Sequence, residues 1–361
     1  MNVQAFSLKQ VMRMEQTGAE ELRVVRPWEY SDWDRRLLKA GSSSVFHTEA
    51  WARVLHEAYG YDPHYFVQID RSAGFSIMVP VMEVRSMITG RRGVSLPFSD
   101  YCGSISFGYR RGLLGRILAH GRARRWESVE FRGEAGYLPD LCSSEYIGHR
   151  LDLREGEGRL FSAFESSVKR NIRKSIKEGV RLELTDSEEG LKAFHRLNGL
   201  TRKLHGLPPQ PFRFFRKMHE HILSRKAGRI ILAWNGPKPV AAAVFLHFGK
   251  SAVYKYGASD RRYQHLRANN LIMWEAIRFY SGQGLEEFHF GRTEPENSGL
   301  MQFKSGWGTA EEKIRYFKYD LGKGMFIGPS GPARKLYVRI FRCLPVPVLH
   351  WIGNAFYRHM G

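Results

Sequence analysis

The sequence predicts an α/β protein of two domains, in which helices flank a mixed, largely antiparallel sheet. The first observation is length, because 361 residues suit two domains of ordinary size better than one. The second is composition, since 43% hydrophobic and 13% aromatic residues are typical of a globular chain. The third is the alternation of β-rich runs with amphipathic segments in both halves. We divide the chain into domains at 20–150 and 151–325 and a basic amphipathic tail at 326–361.

The first half alternates helices with short strands. A turn composition at 70–74 separates two β-rich runs, which are therefore predicted to form a hairpin. The predicted elements are a helix at 46–59, strands at 65–69, 75–81 and 94–98, a helix at 113–122 and a strand at 129–131. Residues 133–148, which contain Pro139 and few periodic positions, are predicted to be a loop.

The second half repeats this mixture more strongly. It begins with a long basic helix predicted at 159–178, which ends at Gly179. Asn235-Gly236, between two β-rich runs, predicts a second hairpin. The remaining predicted elements are a strand at 180–184, helices at 188–204 and 212–224, strands at 229–234, 239–248 and 251–257, a helix at 266–280 and strands at 285–290 and 313–321.

Charge and cysteine content indicate the kind of partner and the compartment. The formal net charge of +20 favours an anionic partner, such as a phosphorylated substrate, RNA or an acidic membrane face. Three widely spaced cysteines imply no disulfide framework and favour a reducing compartment. The sequence has no apolar run of about eighteen residues, and residues 1–26 lack the apolar core of a signal peptide. We therefore expect a cytoplasmic protein, with the inner face of the membrane as an alternative location.

Several familiar chemistries are absent from the sequence. His219-Glu220-His221 has the wrong spacing for two metal ligands on one helical face, and no cysteine pair has zinc spacing, so we expect no metal. The glycine-rich stretches at 322–324 and 328–331 do not complete a P-loop. The histidines interpreted as ordinary solvated or core residues are His195, His205, His219 and His289.

The most informative motif follows the strand predicted at 285–290. That strand runs into Gly291-Arg292, and Phe303, Lys304 and Trp307 follow close together. Glycine suits a bend or a close approach to a ligand, and a lysine among aromatic residues is a candidate for holding negative charge. The alternative is a half-buried helix with Phe303 and Trp307 on its core face and Lys304 in solvent.

The ordered motifs of the chain resemble the Fem-type aminoacyltransferases of the GNAT superfamily, including Fem/BioF-like domains. The resemblance spans roughly residues 46–320 and depends on the shared order of short motifs. Besides the motif that contains Gly291 and Lys304, four segments carry the resemblance. They are His47-Thr48-Glu49-Ala50-Trp51, Ser95-Leu96-Pro97-Phe98-Ser99-Asp100-Tyr101-Cys102-Gly103, Lys169-Arg170-Asn171-Ile172-Arg173-Lys174 and Tyr254-Lys255-Tyr256-Gly257-Ala258-Ser259. The resemblance implies two tandem GNAT-type domains, of which the second is catalytic.

The resemblance also implies a reaction. An acyl or aminoacyl group would move onto an amine of a bacterial cell-envelope precursor, either a peptidoglycan stem peptide or an amino-sugar. A neutral amine must attack an activated carbonyl, so the protein mainly positions the reactants and stabilises the oxyanion. In the family a Phe-Lys pair lies near the reacting ester, and Phe303 and Lys304 match it here.

The other site residues follow from this expectation. Arg292, after Gly291, is expected to bind a phosphate or carboxylate, and Trp307 to shape the pocket. Asp100 is the candidate general base, although an Asp in such a loop is commonly a turn former. The remaining predicted substrate-binding residues are Tyr256, Asn270, Arg170, Arg173 and Lys174.

The acyl donor is expected to be aminoacyl-tRNA or acyl-CoA, with no permanently bound cofactor. CoA-using GNAT enzymes hold the pyrophosphate on a glycine-containing loop, but residues 262–270 contain no glycine. This difference favours a donor bound elsewhere, although related acetyltransferases resemble this segment too. The alternatives are an acetyl-CoA-dependent N-acetyltransferase of exopolysaccharide synthesis and a non-catalytic membrane-surface or RNA-binding protein on the same fold.

Two basic surfaces are predicted. The first, which we call the basic stripe, comprises Arg170, Arg173, Lys174 and Lys177 on one helical face with little acidic relief. It suits a phosphate-bearing partner such as tRNA, and the alternative is a solvated helix face. The second is the tail from residue 334, which has five Lys or Arg residues and no acid. Its amphipathic pattern suits an anionic membrane surface, and the alternative is packing on the body of the protein.

Overall fold

The computed structural model describes residues 22–41, 43–70, 74–106, 112–133, 138, 141–329 and 335–361. The helices are α1 Trp33–Ala40, α2 Glu49–Tyr59, α3 Leu113–Ala123, α4 Glu157–Ala163, α5 Ser166–Lys177, α6 Glu188–Leu204, α7 Phe212–Met218, α8 Ala268–Gly282, α9 Ser298–Ser305, α10 Lys335–Cys343 and α11 Val346–Phe356. The strands are β1 Arg23–Val25, β2 Asp62–Pro63, β3 Tyr65–Asp70, β4 Gly74–Val79, β5 Met82–Ser86, β6 Gly90–Val94, β7 Ile105–Ser106, β8 Ser128–Arg132, β9 Ser144–Asp152, β10 Arg181–Thr185, β11 Gly228–Asn235, β12 Lys238–Phe248, β13 Ser251–Ser259, β14 Glu287–Thr293, β15 Ala310–Asp320 and β16 Met325–Ile327.

Strands from both halves join in one large sheet. Its order is β10-β11-β12-β13-β14-β9-β15-β8-β6-β5-β2, with β16 paired to β15, and a second sheet has the order β1-β3-β4-β7. Only β13–β14 and β6–β8 are parallel among the described pairs, which confirms a mixed, largely antiparallel sheet. Strand β9 links the halves, because it pairs with β14 on one side and β15 on the other. The proposed boundary at residue 150 falls within β9 and remains a prediction.

The largest core is also shared between the halves. Phe46 and Trp51 from the first half belong to the same buried cluster as Phe214 and Phe215 on α7. The Trp51 and Phe214 rings meet edge to face at 6.0 Å. Since burying each such side chain stabilises the fold by roughly 1.5–3 kcal/mol, this cluster holds the two halves together.

The predicted basic helix at 159–178 is in fact two helices, α4 and α5. Phe164 interrupts it with extended backbone (φ −66°, ψ 148°). Its buried ring packs against Trp274 at 5.5 Å and Trp307 at 4.9 Å. The break thus buries Phe164 and places the whole basic stripe on α5.

Three other predictions need correction. The strand predicted at 94–98 ends at Val94, because Leu96 and Phe98 have positive φ (47° and 63°) and form a tight loop. The loop predicted at 133–148 includes the first residues of β9, from Ser144. The helix predicted at 212–224 becomes a π-helical turn from His219. The two predicted hairpins, β3–β4 and β11–β12, are confirmed.

The tail forms two helices, as its pattern predicted, and α11 packs on the body of the protein. Leu349 and Gly353 are buried, and a Cβ at Gly353 would lie 2.1 Å from the Pro209 carbonyl oxygen. Tyr357 is also buried, whereas Trp351 is 68% exposed. The tail therefore packs on the body of the protein through α11, and part of the apolar surface of the tail, including Trp351, stays exposed.

None of the described helices has both the length and the apolar composition needed to cross a membrane.

Candidate functional site

The predicted site lies where two parallel strands diverge. Strands β13 and β14 pair only from Ser251–Glu287 to Val253–His289, although both continue further. The pairing of β14 with β9 also loses register between His289 and Arg292. Backbone pairing between the two strands has therefore ended before the chain reaches Gly291.

Gly291 is required at this position. Its φ of 70° is strained for residues with a side chain. A Cβ would also lie 3.2 Å from the Tyr254 carbonyl oxygen and 3.5 Å from the Asp100 carboxyl group. The Gly291 N–H donates to His289 Nδ1 at 2.8 Å. The strand can therefore bend here only because residue 291 has no side chain.

Lys304 is directed at this bend from α9. That helix begins after Asn297, whose side chain accepts from the Leu300 N–H at 3.2 Å. Lys304 is only 2% exposed, and its ammonium donates to the carbonyl oxygens of Gly291 at 2.9 Å and Arg292 at 3.2 Å. The alternative that placed Lys304 in solvent is therefore wrong.

The environment of Lys304 alters its acidity. Burial lowers its pKa to about 8; Asp100 acts in the opposite direction, and the positive charge of Lys255 adds to the lowering. The ammonium has three N–H groups, and two donate to the backbone. The third has no hydrogen-bond acceptor among the described residues.

The two aromatic residues of the motif have different positions. Trp307 is fully buried and packs against Phe164 and Phe290, with ring centroids 4.9 and 6.4 Å away. Phe303 is half-buried and meets the Trp307 ring edge to face at 6.1 Å. Trp307 thus supports α9 from the core, and its role in shaping a pocket remains a prediction.

Arg292 is a half-buried cation with no acidic partner among the described residues. Its guanidinium lies over the rings of Tyr146 at 4.3 Å and Tyr316 at 5.1 Å and donates to the Tyr316 hydroxyl at 2.7 Å. Burial opposes the charge, but Tyr316, Tyr146 and Asp100 raise the pKa of Arg292 above its usual value. A fixed, planar cation in this setting suits a phosphate or carboxylate.

Asp100 forms a buried ion pair with Lys255. The Oδ2 to Nζ distance is 2.8 Å, and the two side chains are 14% and 6% exposed. Burial alone would raise the pKa of Asp100, but the Lys255 ammonium outweighs burial and lowers it. The carboxylate is therefore a weak base, and this ion pair argues against the predicted role of general base, which no observation here tests directly.

A second ion pair, from the first half of the chain, completes the charged surroundings. Arg132 Nε lies 2.7 Å from Glu130 Oε1, and the Arg132 guanidinium lies 5.3 Å from the Tyr316 ring centroid. The Tyr316 hydroxyl donates to the Asp100 carbonyl oxygen at 2.8 Å. We define the central charge cluster as Asp100, Glu130, Arg132, Lys255, Arg292 and Lys304, with four cations against two carboxylates.

The sequence did not identify Lys255, Arg132 or Glu130 as site residues. Lys255 stood within a quoted motif, but its partner Asp100 is distant in sequence. Glu130 lay within the strand predicted at 129–131 and Arg132 followed it, and neither belonged to a motif. His289 was interpreted as an ordinary histidine. It is a buried residue whose Nε2 lies 3.0 Å from Glu312 Oε1.

The other predicted residues lie at different distances from the cluster. The Tyr256 ring is close to it, with the Lys255 Nζ 4.9 Å from the ring centroid. Asn270 is buried near the start of α8, and no described contact links its side chain to the cluster. Helix α5, which packs against α8, carries the predicted residues Arg170, Arg173 and Lys174. All three are exposed, and they form no ion pair with a described acid.

One group of side chains resembles a metal site. Ligand atoms of Glu57, Glu220 and His221 lie within 4.8 Å of one another. However, the Lys217 ammonium lies 2.6 Å from Glu57 and 2.7 Å from Glu220. Because the Lys217 ammonium already pairs with both carboxylates, we propose no metal there.

Comparison with known proteins places this site in a recognisable fold. Residues 162–305 match the family model described as acetyltransferase (GNAT) domain. The crystal structure of FemX superposes with a TM-score of 0.62 at 12% identity, over 81% of this chain and 96% of that chain. A tandem GNAT protein from the clavulanic acid biosynthesis pathway superposes with a TM-score of 0.53 at 11% identity, over 86% and 99%.

Similar sequences are found among curated proteins. A lipid II:glycine glycyltransferase of Staphylococcus haemolyticus is 21% identical in an alignment of 259 residues, and the match covers 51% of this chain and 62% of that protein. Its counterpart in Staphylococcus saprophyticus is 20% identical over 256 residues, or 51% and 61%. The matches thus span about three fifths of the length of these relatives.

The chain therefore has an α/β fold like that of the tandem GNAT proteins, and its residues 162–305 match a GNAT domain. Within that fold, its resemblance to the Fem-type aminoacyltransferases is confirmed.

Proposed function

We propose that this chain transfers an acyl or aminoacyl group onto an amine of a cell-envelope precursor that is lipid-linked or otherwise anionic. The main observation is the buried Lys304 ammonium, which has one N–H without an acceptor among the described residues, near the point where the pairing of β13 with β14 ends. The names of the similar glycyltransferases, which specify lipid II as acceptor, support this class of substrate.

The chemistry follows from the amine and the activated carbonyl. The neutral amine attacks the carbonyl carbon of the donor ester or thioester, and a C–N bond forms while the C–O or C–S bond breaks. The proton lost by the amine nitrogen passes to the departing oxygen or sulfur. The negative charge that develops on the carbonyl oxygen accepts a hydrogen bond from Lys304. Since the carbonyl oxygens of Gly291 and Arg292 hold the ammonium before reaction, little reorganisation is needed.

The acceptor's negative charge has a counterpart in the central charge cluster. Its four cations exceed its two carboxylates, and Arg292 has no acidic partner among the described residues. A phosphate near Arg292 would balance that excess. The cluster would then fix the precursor while its amine approaches the carbonyl.

The acyl donor is proposed to be aminoacyl-tRNA. Around the start of α8, the N–H groups of Arg262, Tyr263, Arg267 and Asn270 bond to neighbouring residues of the chain. These four N–H groups are therefore unavailable to a pyrophosphate. The basic stripe on α5, exposed and without acidic partners among the described residues, would instead bind tRNA phosphates.

Reconstitution with purified components tests the proposal. A lipid-linked precursor bearing a free amine would be incubated with charged tRNA or with acetyl-CoA, and the products would be analysed by mass spectrometry. We expect a mass increase of one aminoacyl group with charged tRNA only. Transfer from acetyl-CoA alone would favour the N-acetyltransferase, and transfer from neither donor by folded protein would contradict an enzymatic role.

A further inference from the structure

The turn between β5 and β6 exposes two apolar residues in sequence. Met87 is 99% exposed and Ile88 is 61% exposed. The turn is held by the Ser86 hydroxyl, which accepts from the N–H groups of Ile88 at 3.0 Å and Thr89 at 2.9 Å. The two apolar side chains are therefore presented by an ordered turn.

The end of the tail lies along this turn. His359 Nδ1 lies 3.0 Å from Ser86 Oγ, and the His359 carbonyl oxygen accepts from the Thr89 hydroxyl at 3.1 Å and from Arg92 at 2.9 Å. Phe356 and Met360, on either side of this contact, are 42% and 53% exposed. The end of the tail thus adds two exposed apolar side chains within three residues of His359, which contacts the turn.

A shallow cavity of about 410 Å³ adjoins Met87 and is strongly basic. Arg85, Arg91 and Arg358 line it together with His359. Two carboxylates lie near it: Glu83 is already bonded to Arg85 and Arg124, and the carboxylate of Glu127 contacts Gly90. Arg358 has no ion pair with a described acid, so positive charge predominates.

We propose that this surface docks on an anionic phospholipid bilayer. The Met87–Ile88 turn, with Phe356 and Met360, would lie in the interface, and Arg85, Arg91 and Arg358 would bind lipid phosphates. Apolar side chains bordered by arginines match the two layers that a bilayer presents, hydrocarbon below and phosphate above. The proposal does not depend on acyl transfer, and it adds to the tail a second membrane contact that the sequence did not predict.

Co-sedimentation of the full-length chain with vesicles tests the proposal. Vesicles of phosphatidylglycerol and phosphatidylcholine would be compared with vesicles of phosphatidylcholine alone. The test variant is Met87→Ser with Ile88→Ser, and the control is Leu38→Ser, which changes an apolar residue of 55% exposure on α1. We expect binding to anionic vesicles to weaken about tenfold or more in the test variant and to stay unchanged in the control.

Two further measurements distinguish binding to a bilayer from binding of a soluble phosphate compound or of a second copy of the chain. Arg91→Gln with Arg358→Gln should abolish the preference for anionic vesicles. Soluble glycerol phosphate at millimolar concentration should not compete with vesicles. Unchanged binding by the Met87–Ile88 variant, or full competition by glycerol phosphate, would overturn the proposal. It would also be overturned if sedimentation velocity showed that the variant loses self-association but keeps vesicle binding.

Discussion

At the scale of single residues, Lys304 shows how environment creates a candidate catalytic group. An exposed lysine would be a flexible, strongly hydrated charge. Here α9 and the bend at Gly291 remove it from water and fix it on two carbonyl oxygens. Such preorganisation is what oxyanion stabilisation requires.

Lys304→Ala should therefore lower turnover much more than acceptor binding. Loss of one charged donor to the oxyanion raises the barrier by on the order of 3 kcal/mol, roughly a hundredfold in rate. Steady-state kinetics with saturating acceptor would measure kcat and KM separately. Lys323→Ala, in an exposed turn, is the matched control. Full kcat in the Lys304 variant would remove this residue from the mechanism.

The pH dependence of kcat should reveal the charge state of Lys304. Its pKa is lowered to about 8, so the ammonium is present below that pH and is lost above it. If the ammonium stabilises the oxyanion, kcat should fall as pH rises through about 8. In Lys304→Arg this falling limb should move to much higher pH. A limb that rises through about 8 and disappears in Lys304→Ala would instead indicate a general base.

At the scale of elements, α5 is a helix whose positive charge is concentrated on one face. Val168 and Ile172 face the core, whereas Arg170, Arg173 and Lys174 are exposed. The break at Phe164 gives this face its own short helix. The stripe is thus positioned by core packing and is free to meet a partner.

Replacing Arg170, Arg173 and Lys174 by alanine should weaken binding of tRNA or another polyanion. Each lost phosphate contact reduces the slope of log affinity against log salt by about one unit. Binding measured over a range of salt concentrations would give this slope. The control variant replaces three other exposed cations by alanine, namely Lys192, Arg196 and Arg216 on α6 and α7. It should change the slope less. An identical slope in the α5 variant would mean that its face is only solvated.

Truncation after residue 330 should lower the melting temperature and also reduce binding to anionic vesicles. The tail buries Leu349 and Tyr357, and loss of two such side chains costs on the order of 3 kcal/mol or more. Scanning calorimetry and vesicle co-sedimentation would measure the two effects. An unchanged melting temperature would contradict the docking of α11, and unchanged vesicle binding would contradict a membrane role for the tail. Residues 330–334, where the truncation falls, lie outside the described residues.

Prediction from sequence succeeded where the information was local. The β11–β12 hairpin follows from Asn235-Gly236, and α6 follows from its periodicity. Strand β9 was not predicted, because its pairing is with β14 and β15, and its own residues lack a strong alternating pattern. The ion pair of Asp100 with Lys255 was missed for the same reason, since neither side chain indicates its distant partner. The motif around Lys304 was found through resemblance, but its burial required the fold.

At the scale of the whole molecule, the Asp100–Lys255 ion pair joins the two halves. Asp100 comes from the loop after β6, and Lys255 comes from β13. The pair lies between elements that already share a sheet and a core. Its loss should therefore affect the stability of the whole chain.

Lys255→Met should reduce the free energy of unfolding by roughly 3–5 kcal/mol at pH 7, because it leaves the Asp100 carboxylate buried and unpaired. In the unsubstituted protein, Lys255 lowers the pKa of Asp100. The stabilisation by the ion pair is therefore present above the pKa that Asp100 has in the unfolded chain, and it is lost as pH falls through the lower pKa of the folded state. The deficit should shrink near pH 4, where the unpaired carboxyl group can take up a proton. Urea unfolding at both pH values would measure it.

Lys250→Met provides the matched control, because it breaks the exposed pair of Lys250 with Glu286. Such a pair contributes roughly 0–1 kcal/mol. Equal losses in the two variants would contradict a stabilising role for the buried pair.

The position of β9 has a consequence for how the chain folds as it is synthesised. When β9 leaves the ribosome, neither of its neighbours exists, since β14 and β15 follow only after the elements from α4 to α8. Strand β8 likewise has no partner on one of its edges until β15 has been synthesised. The nascent first half therefore carries open strand edges for much of translation, and such edges pair readily with other chains. Folding of this protein should depend on chaperones that shield those edges until the last strand is made.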